Sequence, residues 1–128
     1  MQQPEQTVIL LIIDSLVREG LKLLLEGMQF SVIALSTYRD FKQYLSSEIN
    51  KPALIILPPR LENGLSGFGL VSELQTRFSN TVPLIIFSSD NSLHPSLIAN
   101  TNYLILPEQT DPKTLRKKIK EITRLKTT

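Results

Sequence analysis

Residues 8–13, VILLII, form an unbroken apolar run rich in β-branched side chains, the pattern of a strand buried on both faces of a parallel sheet. Leu16, Val17, Gly20, Leu21, Leu24 and Leu25 then recur at helical spacing, with Ser15 placed to cap the start of a helix and Gly27 to end it. Residues 30–35 read as a second strand, and Thr37 with Asp40 forms a capping box ahead of Phe41, Tyr44 and Leu45. A third short strand covers residues 53–57 and stops at Pro58 and Pro59, neither of which can donate to a ladder. Residues 60–69 read as a loop with three glycines, and Phe68, Val71, Leu74 and Phe78 mark a helical stripe. Residues 82–87 predict strand four, with Pro83 tolerated near its start, while 91–99 have room only for a short, poor helix with Pro95 in its first turn. Residues 103–106 make strand five, and Leu115, Ile119, Ile122 and Leu125 give the final helix its apolar face.

Strands alternating with helices imply a parallel sheet, because parallel neighbours need crossover connections that lie over its faces. The expectation is an α/β fold, a doubly wound (βα)5 sheet in the order 2-1-3-4-5 with a shortened fourth helix. The 128 residues suit one domain, with its core over 7–126. Ligands and chemistry in such sheets sit at the carboxyl ends of the strands. Those ends are Ile13 with Asp14, Ser36, residues 57–59, residues 88–90, and Leu106 with Pro107.

Composition removes several chemistries. With no cysteine there is no disulfide, thiolate metal site or cysteine nucleophile, and the single histidine, His94, beside Pro95, reads as an exposed loop residue. The net charge of +2 hides an asymmetry. Residues 111–128 hold seven basic side chains against two acidic ones, a local +5, and the rest of the chain carries −3. This basic run reads as the solvated face of the final helix or as a docking surface for an acidic protein; without interleaved aromatics or a reading motif it does not suggest direct nucleic-acid binding. No apolar stretch approaches the roughly 18 residues of a membrane span, and the first residues, MQQPEQ, lack the positive region of a signal peptide, so a cytoplasmic protein is expected. The glycines between Gly64 and Gly69 lack the spacing of a dinucleotide fingerprint and do not directly follow a strand.

ILLIIDSLVREGLKLLLE (9–26) resembles the opening of response-regulator receiver domains, and its Leu-Val-Arg-Glu-Gly stretch is the most distinctive piece. KPALIILPPRL (51–61), PLIIFSS (83–89) and NYLILPE (102–108) are similar to the third, fourth and fifth strands of that family. The resemblance implies a phosphorylation site built from two acidic residues after strand one, an acceptor aspartate ending strand three, a hydroxyl ending strand four and a lysine ending strand five. Clustered carboxylates would hold Mg²⁺, and the metal and lysine would neutralise the phosphoryl group that the aspartate attacks. In this chain the corresponding positions are Ile13 and Asp14, Pro58, Ser88 and Leu106, and one residue is missing just after the acid pair.

Proline has no nucleophile, leucine offers phosphate neither charge nor donor, and one carboxylate makes a poor Mg²⁺ site. The resemblance therefore implies a degenerate pseudo-receiver: not an enzyme, using no cofactor or metal, and acting in two-component-type signalling through a protein partner such as a kinase, receiver or output domain, which would dock on the face from the fourth strand to the last helix or on the Pro58 end of the sheet, with weak homodimerisation through the former. Asp14 is read as a scaffold residue or helix-start charge, and residues 88–90 as caps or turn formers. The chain between Ser88 and Leu106 is several residues shorter than its counterpart in the family. Tyr103 matches the family's switch aromatic, and is either a half-buried tyrosine on an edge strand or part of an interaction face with Lys113, Arg116, Lys117 and Lys120. Two other classes remain open. Ile13, Pro58 and Leu106 could turn the former phosphorylation pocket into an apolar site for a small hydrophobic ligand, or the fold could bind a nucleotide or flavin, against which the absent phosphate loop argues.

Overall fold

Five short parallel strands carry the apolar runs of the sequence and helices carry the amphipathic stretches between them. In chain order the elements are β1 (Thr7–Leu11), α1 (Ser15–Gly27), β2 (Ser31–Leu35), α2 (Tyr38–Ser47), β3 (Leu54–Leu57), α3 (Gly67–Arg77), β4 (Leu84–Phe87), β5 (Tyr103–Leu106) and α4 (Pro112–Arg124). The computed structural model describes residues 6–47, 51–61, 64, 67–78, 81–87, 103–107 and 110–124. The short helix expected over 91–99, together with Ser88, His94, Leu125 and the side chain of Tyr103, lies outside the described residues.

The sheet order is β2-β1-β3-β4-β5, as the alternation predicts. Val8 pairs with Leu54, Ile55 with Leu84 and Leu84 with Tyr103, all in parallel register. Successive strand side chains point to opposite faces, so each strand feeds two apolar layers. Ile9, Leu11, Ile55, Leu57, Leu84 and Ile86 pack with Phe41 and Leu45 of α2 and with Leu70, Val71 and Leu74 of α3. Val8, Leu10, Leu54, Ile56, Ile85, Phe87 and Leu106 pack on the other side with Leu21 and Leu25 of α1 and with Leu115 and Ile119 of α4. Each fully buried leucine or isoleucine contributes about 1.5–3 kcal/mol of transfer free energy, so these two layers supply most of the drive to fold. Between α2 and α3, the Arg77 guanidinium donates to the carbonyl of Leu45 and ties the C-terminal ends of the two helices together.

Several boundaries move from their sequence expectations for local reasons. β1 ends at Leu11 rather than at residue 13. The carbonyls of Ile12 and Ile13 accept from Arg18 Nη1 at 2.8 and 3.1 Å instead of extending the ladder. The cap of α1 is Asp14 and not Ser15: Asp14 Oδ1 accepts from the amides of Leu16 (2.9 Å) and Val17 (3.1 Å). Thr37 does cap α2, its Oγ1 accepting from Asp40 N at 3.1 Å. α3 begins at Gly67, inside the stretch expected to be loop.

α1 does end at Gly27, as its last helical residue, but the left-handed position of the turn that follows is Gln29, with φ of 77°, and not the glycine. The reason is the next strand. Phe30 N donates to Leu25 O at 3.1 Å, and the Phe30 ring packs on the layer that includes Leu21 and Leu25, which forces the reversal one residue earlier. A side chain in this region costs about 1 kcal/mol that glycine avoids, whereas a Cβ at Gly27 would meet nothing within 4 Å. Gln29→Gly and Gly27→Ala are therefore each expected to raise unfolding stability by about 0.5–1 kcal/mol, read as a higher urea midpoint at unchanged slope.

Candidate functional site

Strand order reverses direction at β1, which has β2 on one side and β3 on the other. The carboxyl ends of β1 and β3 therefore frame the crevice where open α/β sheets place their ligands. Ile12, Ile13 and Asp14 follow β1, and Pro58 follows β3. Ile13 is 44% exposed, whereas Pro58 is buried.

The two groups that could carry charge chemistry here are both engaged by the backbone. One oxygen of Asp14 is taken by the first-turn amides of α1, where a carboxylate also suits the positive end of the helix. Arg18, one turn into α1, reaches back to the two carbonyls that precede Asp14 and holds the β1–α1 turn closed. Arg18 belongs to the distinctive Leu-Val-Arg-Glu-Gly stretch, but its role is not legible there because a cation on an amphipathic helix reads as a solvated side chain; its place four residues after the cap is the available signal. Mg²⁺ of the kind the receiver resemblance implies does not fit these residues. Among the described residues Asp14 is the one carboxylate at the crevice, the Ile12 and Ile13 carbonyls are occupied by Arg18, Pro58 offers no side-chain ligand, and no group of three or more His, Asp or Glu residues suited to a metal occurs.

A cavity of about 780 Å³ opens beside the crevice, between α1 and the start of α4. Ile12, Ile13, Pro58 and Phe87 line it from the strand ends, Val17, Gly20, Leu21 and Leu24 from α1, and Thr110, Pro112 and Leu115 from the last connection and helix. The apolar pocket expected from Ile13, Pro58 and Leu106 thus forms with two of the three. Leu106 is 6% exposed and packs into the layer with Leu115 and Ile119, because the β5 alternation that puts Leu104 on this face puts Leu106 there too.

The α1 stripe is wider than the sheet can cover. Leu21 and Leu25 are buried, while Leu16 (84% exposed), Leu23 (66%) and Val17 (47%) remain at the surface. On α4, Leu115 and Ile119 face the core, and Lys113, Arg116, Lys117 and Lys120 are exposed on the opposite side. The ion pair of this helix among the described residues joins Lys118 and Glu121 at 4.0 Å and leaves that basic sector uninterrupted. Tyr103 starts the edge strand β5. Among the described residues no helix is long and apolar enough to cross a membrane.

The start of α4 is capped by Asp111, which accepts from Thr114 Oγ1 at 2.7 Å and from Thr114 N at 3.3 Å. The Thr114 hydroxyl, with the Thr114 amide behind it, holds the Asp111 carboxyl below the usual aspartate range.

Comparison with solved structures gives the fold directly. A CheY-like response regulator receiver domain protein from Methanospirillum hungatei JF-1 superposes with a TM-score of 0.80 at 18% identity, covering 96% of this chain and 97% of that one. The fold is that of receiver domains. A putative response regulator from Chloroflexus aurantiacus J-10-fl matches at 0.74 and 21% identity over 94% of this chain and 99% of its own. Full-length FixJ from B. japonicum matches at 0.77 and 17% identity over 98% of this chain and 61% of that longer one. No protein-family model matches the sequence, and neither does any curated protein.

Two outcomes follow from this geometry. Asp14→Ala should lower stability by about 1 kcal/mol in a urea titration, whereas Asp14→Asn, which keeps the capping oxygen, should stay within a few tenths. Because the folded-state pKa of Asp111 is depressed, the stability its cap adds is present above the unfolded-state value and is lost as pH falls through the folded one. Thr114→Val should therefore move the Asp111 titration, followed by carboxyl NMR shifts, to higher pH.

Proposed function

We propose that this chain is a receiver-fold domain without phosphotransfer, a non-enzymatic pseudo-receiver that works as a phosphorylation-independent protein-interaction and regulatory module in two-component-type signalling. The observation that carries this reading is Pro58. It stands directly after β3, at the switch point, where the receiver resemblance expects the acceptor aspartate, and it has no atom that could attack phosphorus. Ile13 and Leu106 add to it by removing a carboxylate and the phosphate-neutralising cation from the same end of the sheet.

The surface we assign to the partner combines the edge strand β5, from Tyr103, with the exposed Lys113, Arg116, Lys117 and Lys120 of α4. Four cations at helical spacing on one side of α4 suit an acidic protein surface, with a kinase, receiver or output domain as the partner class and weak self-association through the same face. A small cytoplasmic protein module, working without cofactor, metal or direct nucleic-acid contact over residues 7–126, is the setting we infer.

Incubation with acetyl phosphate and Mg²⁺, followed by intact-mass measurement, tests the loss of phosphotransfer. The expected result is an unchanged mass; a gain of one phosphoryl group that survives neutral pH and is removed by hydroxylamine would overturn it. Pro58→Asp alone is expected to remain unmodified, because Ile13 and Leu106 still deny the site its metal and its cation.

A further inference from the structure

We propose that the cavity between α1 and α4 is a binding site for a small molecule made of an apolar, ring-sized body carrying a protonated amine. Its volume, about 780 Å³, lies within the range of roughly 300–1,000 Å³ typical of small-molecule sites. Its walls are the side chains that make such sites bind: Ile12, Val17, Leu21, Leu24 and Phe87 present carbon, and Gly20 opens the middle of the α1 wall. Gly20 is exposed and lines the cavity, and a Cβ there would meet nothing within 4 Å, so a larger side chain at this position has open space to occupy on the α1 wall.

The charge in the lining selects the ligand. Among the described residues that line the cavity, Asp14 bears the one ionisable side chain. Its Oδ1 is committed to the Leu16 and Val17 amides, and its Oδ2 forms no hydrogen bond among the described residues, leaving a carboxylate oxygen to accept from a ligand donor. Two helix N-termini reach the cavity, and helix N-termini favour anions. Both are already answered by carboxylates, Asp14 on α1 and Asp111 on α4, and Pro112 carries no N–H. Arg18 turns its guanidinium to the Ile12 and Ile13 carbonyls and does not line the site. Among the described residues no cation lines the site, so phosphate, nucleotides and carboxylic acids meet the Asp14 carboxylate, whereas an ammonium gains a charge-assisted hydrogen bond at the rim of an apolar site.

The proposal is independent of the phosphotransfer reading, since it rests on the cavity and Asp14 alone. Its test uses three molecules that share one ring and differ in one group: 1-naphthylmethylamine, 1-naphthylmethanol and 1-naphthoic acid, titrated into the ¹⁵N-labelled protein. The amine should bind about tenfold more tightly than the alcohol, the acid least, with shifts at the amides of Val17, Gly20, Leu24 and Leu115. Asp14→Asn keeps the α1 cap and should erase the preference of amine over alcohol. Gly20→Leu and, separately, Val17→Phe should fill the cavity and abolish binding of all three while the spectrum stays dispersed. Absence of binding to the native protein at millimolar probe, preference for the acid, or undiminished binding to a well-folded Gly20→Leu or Val17→Phe protein would each overturn the proposal.

Discussion

The parallel pairing of β1 with β3, Val8 against Leu54 and Leu10 against Ile56, is the contact on which the rest of the structure depends. Both strands are buried on both faces, so neither can be stable until helices cover the sheet from two sides. α1 and α4 supply one cover, α2 and α3 the other. The same pairing creates the switch point. With β2 on the far side of β1, the chain leaves β1 and β3 in different directions, and a crevice opens at their carboxyl ends.

Apolar residues at that crevice have three separate fates. Ile13 stands half in solvent at the mouth of the cavity, Pro58 is buried at its floor, and Leu106 leaves the site to join the core beneath α4. A receiver that transfers phosphate must hold carboxylates and a cation in this partly dry place, and their desolvation works against stability. On the reading proposed above, the present chain escapes that cost. Pro58 and Leu106 at the end of its sheet are buried like the core, and the space between α1 and the start of α4 remains as a cavity.

The two helices on that face carry different surfaces to the outside. α1 exposes leucines because its apolar sector spans more of its circumference than the sheet beneath can cover. α4 has the reverse balance, a narrow apolar stripe of Leu115 and Ile119 against a broad basic sector. One helix thus offers apolar area beside the cavity and the other offers charge.

Strand positions, the helical stripes and the sheet order were legible in the chain, because a period of two or of 3.6 in apolar residues follows directly from backbone geometry and burial. The details that build the site were not. Ser15 and Asp14 are both good capping residues, and the choice between them lies in the turn after β1, where Arg18 binds the carbonyls of Ile12 and Ile13 and Asp14 Oδ1 accepts from the first-turn amides. Gly27 is the better residue for a left-handed turn, yet Gln29 adopts it because Phe30 must reach the core. Leu106 reads as a pocket residue and becomes a core residue through the β5 alternation. The sequence by itself determined the architecture and the presence of uncharged Ile13, Pro58 and Leu106 near the strand ends, since both are properties of residue type and order. Only the tertiary structure decided that those ends border a cavity walled by α1 and α4 with Asp14 at its edge, because that depends on how far two helices, remote in sequence, stand apart on one face of the sheet.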